Sequence, residues 1–300
     1  MSHKKERQIT LLSVQMPYRD VERVYRELTG HSSGRMSAHR VTQHLAQKLP
    51  SKPYPLIRSV SQPPEGKYHY SADGTMIHIR REGWKEAKVG ACYEVDQDGK
   101  GRNTRYVATL QDREALGQKL YALAGSPSLE ETEGTAFISD GAEWLTDLRQ
   151  EHFPLATPIV DFYHASEYIW KTARGFYGEG SEKARAWAEP RVKQLRKGQQ
   201  EKLRQSFCHL RPKTQDQQEI LTNARRYFRN HGHKMNYPKY KSLGYHIGSG
   251  VIEGACKNVI QSRMKRSGMR WSRLGAENLL KLRGTHLNND WNQIALCQKN

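Results

Sequence analysis

Thr135-Ala136-Phe137-Ile138-Ser139-Asp140-Gly141 is a short apolar run that ends in a carboxylate and a glycine. A helix-length segment from Glu143 to Glu151 follows, then a second short run, Thr157-Pro158-Ile159-Val160-Asp161, that also ends in a carboxylate. Strand, helix and strand in that order predict a parallel pair, because the chain must cross over to return in the same direction. Upstream lie three more strand-like runs: Tyr68 to Ile79, read with an interruption at Asp73-Gly74; Trp84 to Val95; and Arg105 to Leu110. Asp96-Gln97-Asp98-Gly99-Lys100 supplies a hairpin turn between the last two. A helix from about Asp112 to Ala124, with Leu116 and Leu120 inward, leads on to Thr135. The expected fold is α/β, a mixed sheet with helices over its faces. Asp140 and Asp161 then sit at strand ends, where ligands of such sheets bind.

Helical segments flank this unit. Val21, Val24, Tyr25 and Leu28 form one stripe, and Ser37 to Leu49, capped by Ser37, would bury Val41, Leu45 and Leu49. Two short helices with a Gly-containing turn and surplus Arg fit a helix-turn-helix or a plain helical accessory unit over residues 1–60. A Pro-rich linker with Pro50, Pro53, Pro55, Pro63 and Pro64 runs to residue 66. The predicted core occupies 67–170 and resumes at 247–300, interrupted by a basic helical insertion over 171–246. In that insertion one helix is expected from Ser181 through Leu203 and another from Gln218 to Phe228. The final part holds helices from Ile252 to Lys265 and from Ser272 to Arg283.

The chain of 300 residues carries 49 Lys and Arg against 31 Asp and Glu, a net +18 that points to a polyanion, most often nucleic acid. Residues 61–170 hold 18 acidic and 11 basic residues, whereas 171–240 hold 6 and 17. Carboxylates at the chemistry with cations around it is the distribution a metal-dependent nucleic-acid enzyme needs. No run approaches the roughly 18 apolar residues of a membrane span. Four well-separated cysteines suit a reducing cytosol rather than a disulfide framework. The spacing of Cys208-His209 from His231-Gly232-His233 matches no zinc pattern.

Asp73 and Asp140 each precede a glycine, which leaves room beside the carboxylate. Divalent Mg²⁺ takes hard oxygen ligands, and a pair of such ions needs several carboxylates converging. Glu253 is the expected third acid, in the first turn of a helix after Gly248-Ser249-Gly250, with helix capping as its competing role. Lys257, Gln261 and Met264 are expected to track its face. Asp161, His164 and Glu167 recur at intervals of three and fit either a His-carboxylate site or a cap at Asp161 with His164 in support.

Three stretches resemble bacterial DDE transposases of an insertion-sequence group in the RNase H-like superfamily, near its Mutator-like branch. They are Tyr70-Ser71-Ala72-Asp73-Gly74-Thr75; Ser139-Asp140-Gly141-Ala142-Glu143-Trp144 with Val160-Asp161-Phe162-Tyr163-His164-Ala165-Ser166-Glu167; and Ile247-Gly248-Ser249-Gly250-Val251-Ile252-Glu253-Gly254 running into Arg263-Met264-Lys265-Arg266-Ser267-Gly268-Met269-Arg270-Trp271-Ser272. The resemblance implies an RNase H-like mixed sheet and a triad of Asp73, Asp140 and Glu253 holding two Mg²⁺ or Mn²⁺ ions, with Asp161 the alternative second acid. It implies cleavage at transposon ends and strand transfer into target DNA, by a homo-oligomer of the bacterial cytoplasm and nucleoid. A nuclease without strand transfer and an inactive, DNA-binding descendant are the alternatives. Lys257, Arg263, Lys265, Arg266, Arg270, Arg225 and Arg226 would meet DNA phosphates, and Trp271 would stack on a distorted base or pack its helix. Met16-Pro17-Tyr18-Arg19 resembles the region ahead of the core. Relatives usually carry more sequence before it, so the expectation is a truncated or split copy, or another mode of end recognition.

Overall fold

The computed structural model describes residues 2–50, 67–124 apart from 97 and 99, and 134–291. Most of the proline-rich stretch therefore lies outside the described residues. Five strands form one sheet in the order β3-β2-β1-β4-β5. The long central β1 (Lys67–Ile79) pairs antiparallel with β2 (Gly83–Val95), which pairs antiparallel with β3 (Gly101–Thr109). On its other side β1 pairs parallel with β4 (Thr135–Ser139), and β4 pairs parallel with β5 (Thr157–Val160). The α/β mixed sheet is as expected.

One expectation about β1 is corrected. Asp73-Gly74 does not interrupt the strand: Asp73 pairs with Val89 and Gly74 with Lys88 in unbroken register. Glycine leaves space there for Glu86, since a Cβ on Gly74 would stand 2.4 Å from its carboxylate and the side chain would have to swing aside.

Alternation along the strands separates the two faces. Tyr68, Tyr70, Ala72 and Cys92 meet α4 (Arg113–Ala124) and α5 (Glu143–His152) through Leu116, Leu120, Leu145 and Leu148. On the opposite face two cores lie side by side. Over β1–β3, Ile77, Ile79, Val89 and Tyr93 pack against the C-terminal helices. Over β4 and β5, Ile138, Ile159 and Val160 pack under α6 (Phe162–Tyr177) and the helices that follow it. Asp73 and Asp140 stand at the seam between these cores.

The N-terminal region has three helices, not two: α1 (His3–Gln15), α2 (Tyr18–Thr29) and α3 (Arg35–Lys48). Val21 and Tyr25 are buried as expected, but Leu28 is exposed, and α3 starts behind Gly34 rather than at a Ser37 cap. The region packs onto the sheet, because Val14, Leu45, Ala46 and Leu49 belong to the core over β1–β3.

In the insertion, the helix expected through Leu203 is two. α7 (Glu182–Arg196) and α8 (Gln200–Cys208) break at Gly198, which has φ +68°, a left-handed conformation that favours glycine. α9 (Gln215–His231) and α10 (Tyr237–Ser242) complete it. The next helix starts as α11 (Gly250–Ala255), widens into a π-helical turn at Cys256–Gln261 and ends as α12 (Ser262–Met264). That widening shifts the face: Lys257 is exposed but Met264 is buried, so the two do not share a side. α13 (Arg273–Leu287) is capped by Ser272, whose Oγ accepts from the Gly275 amide at 3.1 Å. No helix among the described residues is long and apolar enough to cross a membrane.

Candidate active site

Parallel register brings the first two acids together. Ser71 and Ile138 are the last register pair of β1 and β4, and Asp73 and Asp140 each stand two residues beyond it. Paired strands run about 4.8 Å apart. Burial raises the Asp73 carboxyl above its ordinary range; the Gly74 amide and Cys256 thiol act the other way, and Asp140 and Glu86 push it up again.

Asp140 follows the last residue of β4. Its Oδ1 accepts the Ala142 amide at 2.8 Å, and its carbonyl accepts the Tyr227 hydroxyl at 2.9 Å. Gly141 takes φ +97°, and a Cβ there would stand 3.2 Å from the His231 ring, so glycine suits both the turn and the close neighbour.

The third acid arrives on the helix that crosses β1 and β2. Glu253 is exposed, and its Oε1 accepts the Ser249 hydroxyl at 2.7 Å. One turn on, Cys256 donates its thiol to Asp73 Oδ2 at 3.4 Å. Burial, then Asp73, Glu253 and Glu86, raise that thiol well above its usual range, which keeps it a donor. Cys256 thus links Asp73 to the helix that carries Glu253. Sequence reasoning missed both Cys256 and Glu86, because only strand register and helix crossing bring them to Asp73. The hint for Glu86 was Gly74, whose open side its carboxylate occupies; Lys88 pairs with Glu86 at 3.0 Å.

Asp161 serves another purpose. It is 1% exposed, and its Oδ1 accepts the Tyr163 and His164 amides at 2.5 and 3.3 Å, capping α6. Its Oδ2 accepts the Ser249 amide at 3.0 Å, and Ile247 O accepts the Phe162 amide at 2.9 Å. The insertion therefore leaves and returns at one point. Asp161 is a buried linchpin and not an open ligand, while His164 and Glu167 face a cleft. Neutral His69 supports the same return: burial lowers its pKa to about 3, and its Nε2 accepts the His246 amide at 3.1 Å.

The cleft, of about 1030 Å³, opens beside Asp140 between α6 and α9. Lys171, Arg174 and Arg226 line it, and the rings of Tyr168 and Tyr227 stack on its wall at 3.9 Å.

Of the cations expected to meet phosphate, Lys257, Lys265, Arg266, Arg270, Arg225 and Arg226 are exposed. Arg263 is not. It is 0% exposed, lies between the rings of Tyr18 and Trp271 at 5.2 and 5.1 Å, and donates Nε to Ser13 O. Trp271 is also corrected: its ring packs in the core, its Nε1 donates to Met264 O, and its backbone bridges the end of β1.

Among the described residues, the group of ligand-type side chains whose atoms all come within 4.8 Å is Glu114, Glu151 and His152, which can hold a metal ion. It lies on the α4–α5 side, where Arg113 pairs with Glu151 at 3.0 Å. Asp73, Asp140 and Glu253 form no such group, so their ligand atoms do not all come within 4.8 Å of one another. No protein-family model and no curated protein matches the chain.

Proposed function

We propose that the chain is a metal-dependent DNA phosphoryl-transfer enzyme, a transposase of the DDE type built on an RNase H-like sheet. The observation that carries this reading is that Asp73 on β1 lies near enough to Asp140, just past the end of the parallel strand β4, to feel its charge, while Cys256 on the helix bearing Glu253 bonds to Asp73. The strand order, three antiparallel and two parallel, supports the same fold.

The donor set fits divalent ions. Asp73, Asp140 and Glu253 offer hard oxygens, and the raised Asp73 carboxyl shows that burial and neighbouring negative charge disfavour its ionised form. When bound, a pair of Mg²⁺ or Mn²⁺ ions would activate the attacking oxygen and stabilise the departing 3′-oxygen. The protein groups then have distinct tasks. Cys256 holds one oxygen of Asp73, leaving the carboxylate oriented toward the seam. Ser249, itself fixed by Asp161, holds Glu253. Lys171, Arg174 and Arg226 attract the backbone into the cleft without reading its bases.

Purified protein incubated with labelled candidate terminal repeats, target DNA and Mg²⁺ tests the reading. Strand-transfer products are expected. Cleavage without joining would reassign the chain as a nuclease, and binding without cleavage in Mn²⁺ would leave a DNA-binding protein.

Cys256 gives a finer test. Cys256→Ala removes a donor from Asp73 and is expected to raise the Mg²⁺ concentration needed for half-maximal cleavage by about tenfold. Cys256→Ser, which keeps a donor, should stay near wild type. Equal effects from both would mean the thiol only fills space.

A further inference from the structure

A second basic concavity lies away from the acids. It has a volume of about 450 Å³, where α2, α3, the end of β1 and the segment after α12 meet. Arg19, Arg35, His39, Arg80, Arg266 and Arg270 surround it, with Asp20 the one acidic residue in its lining. Arg35, Arg80 and Arg270 are exposed and form no side-chain ion pair among the described residues. Like charges so gathered repel one another unless an anion sits among them.

A second observation comes from beneath. Arg263 lines the same concavity, is wholly buried, and has no carboxylate partner. Its Nη2 is buried with no hydrogen-bond partner, an arrangement that costs free energy unless something offsets it. Burial lowers its pKa to about 10, so it stays positive at neutral pH. Arg283 lies nearby, also at about 10, and spends its guanidinium on the carbonyls of Val14, Val259 and Asn258. Two buried cations, of which only Arg263 feels a carboxylate, that of Asp20, strengthen the positive potential of the pocket above them, because low-dielectric surroundings screen them little.

We propose that this pocket seats a phosphodiester segment of the bound DNA, a contact made by residues that α2, α3 and β1 bring to the chain following the Glu253 helix. The proposal rests on the DNA-acting reading above. Phosphate is favoured over a protein carboxylate because the five cations around the rim are all arginines, whose planar fork matches phosphate oxygens in pairs, while burial and then Arg80 lower the His39 pKa and favour its neutral form. The position fits too: Arg266 and Arg270 follow on the helix that carries Glu253 and, through Cys256, touches Asp73.

The test is equilibrium binding of a labelled mixed-sequence 30-base-pair duplex to the full chain, across a salt series without divalent ions. Arg35→Ala, Arg80→Ala and Arg270→Ala combined remove three exposed side chains and should leave the fold intact, checked by melting temperature. Affinity at low salt is expected to fall at least tenfold, and the slope of log affinity against log salt to shrink by about 2 to 3, as for the loss of two or three phosphate contacts. A control triple of equal charge, Lys183→Ala, Arg185→Ala and Arg204→Ala on α7 and α8, should change the slope by less than about 1. Three results would overturn the proposal: a pocket triple that binds like wild type, a control triple that loses as much, or poly-glutamate binding the wild type as tightly as the duplex at equal salt. Absence of duplex binding by the wild type would overturn the DNA-acting reading itself. Normal duplex binding with an unaffected pocket triple would overturn the pocket alone.

Discussion

Asp73→Asn is expected to abolish strand cleavage, by more than about a hundredfold, while leaving duplex binding near wild type. It should also melt at a higher temperature than wild type at pH 7 without divalent ions. The sign follows from the direction of the Asp73 shift. A carboxyl raised in the folded state contributes stability below its ordinary pKa and loses that contribution as pH rises through the raised value. At neutral pH the ionised group therefore destabilises the fold, and the neutral amide does not. The difference in melting temperature should vanish once acid has protonated Asp73 in both folded and unfolded wild type. Added Mg²⁺ should stabilise wild type more than the variant, since binding to the native state alone raises its stability. An Asp73→Asn protein that cleaves normally would remove this residue from the chemistry.

The second contrast separates two aspartates at the ends of neighbouring strands. Asp140→Asn should lose cleavage to a similar extent while its melting temperature moves little, because the amide oxygen can still accept from Ala142. Asp161→Ala should unfold at markedly lower denaturant. It removes the cap of α6 and leaves the Ser249 amide buried without a partner. Together those losses amount to roughly 2–4 kcal/mol. Asp161→Asn discriminates further: its amide group presents a donor where donors already point, so stability falls, but cleavage per folded molecule should persist. Asp161→Asn with wild-type stability and no cleavage would make Asp161 the second acid.

Local pattern made the sheet legible. Alternation and turn residues marked each strand from Tyr68 to Val160, and the crossover rule supplied the parallel pair. Asp140 was readable because a strand end is a local feature. The misread positions have physical causes. Gly74 looks like a break because glycine usually is one, yet here it admits the side chain of Glu86 from the next strand. α1 escaped because its buried side mixes Ile9 and Val14 with Thr10 and Ser13, the last satisfied by donating to Ile9 O within the helix. Arg263 and Trp271 sit in a run of charge that reads as surface, but two aromatic faces and a backbone carbonyl hold the guanidinium inside. Asp161 left both roles open in the sequence, and its tie to Ser249, 88 residues away, is a long-range contact that no local pattern could show.

That tie makes the excursion between Phe162 and Ile247 behave as a cassette clipped shut at its neck. Lengthening such a closed excursion is cheap, about 0.6 kcal/mol for each doubling, provided that the contacts of Tyr227 with Asp140 and of Tyr237 with Val160 are kept. Residues added in the turns between α7, α8 and α9, clear of Tyr227 and His231 that touch Asp140 and Gly141, should keep Asp161, Ser249 and Glu253 in step. New DNA contacts could thus be grafted onto this protein without re-engineering its acids.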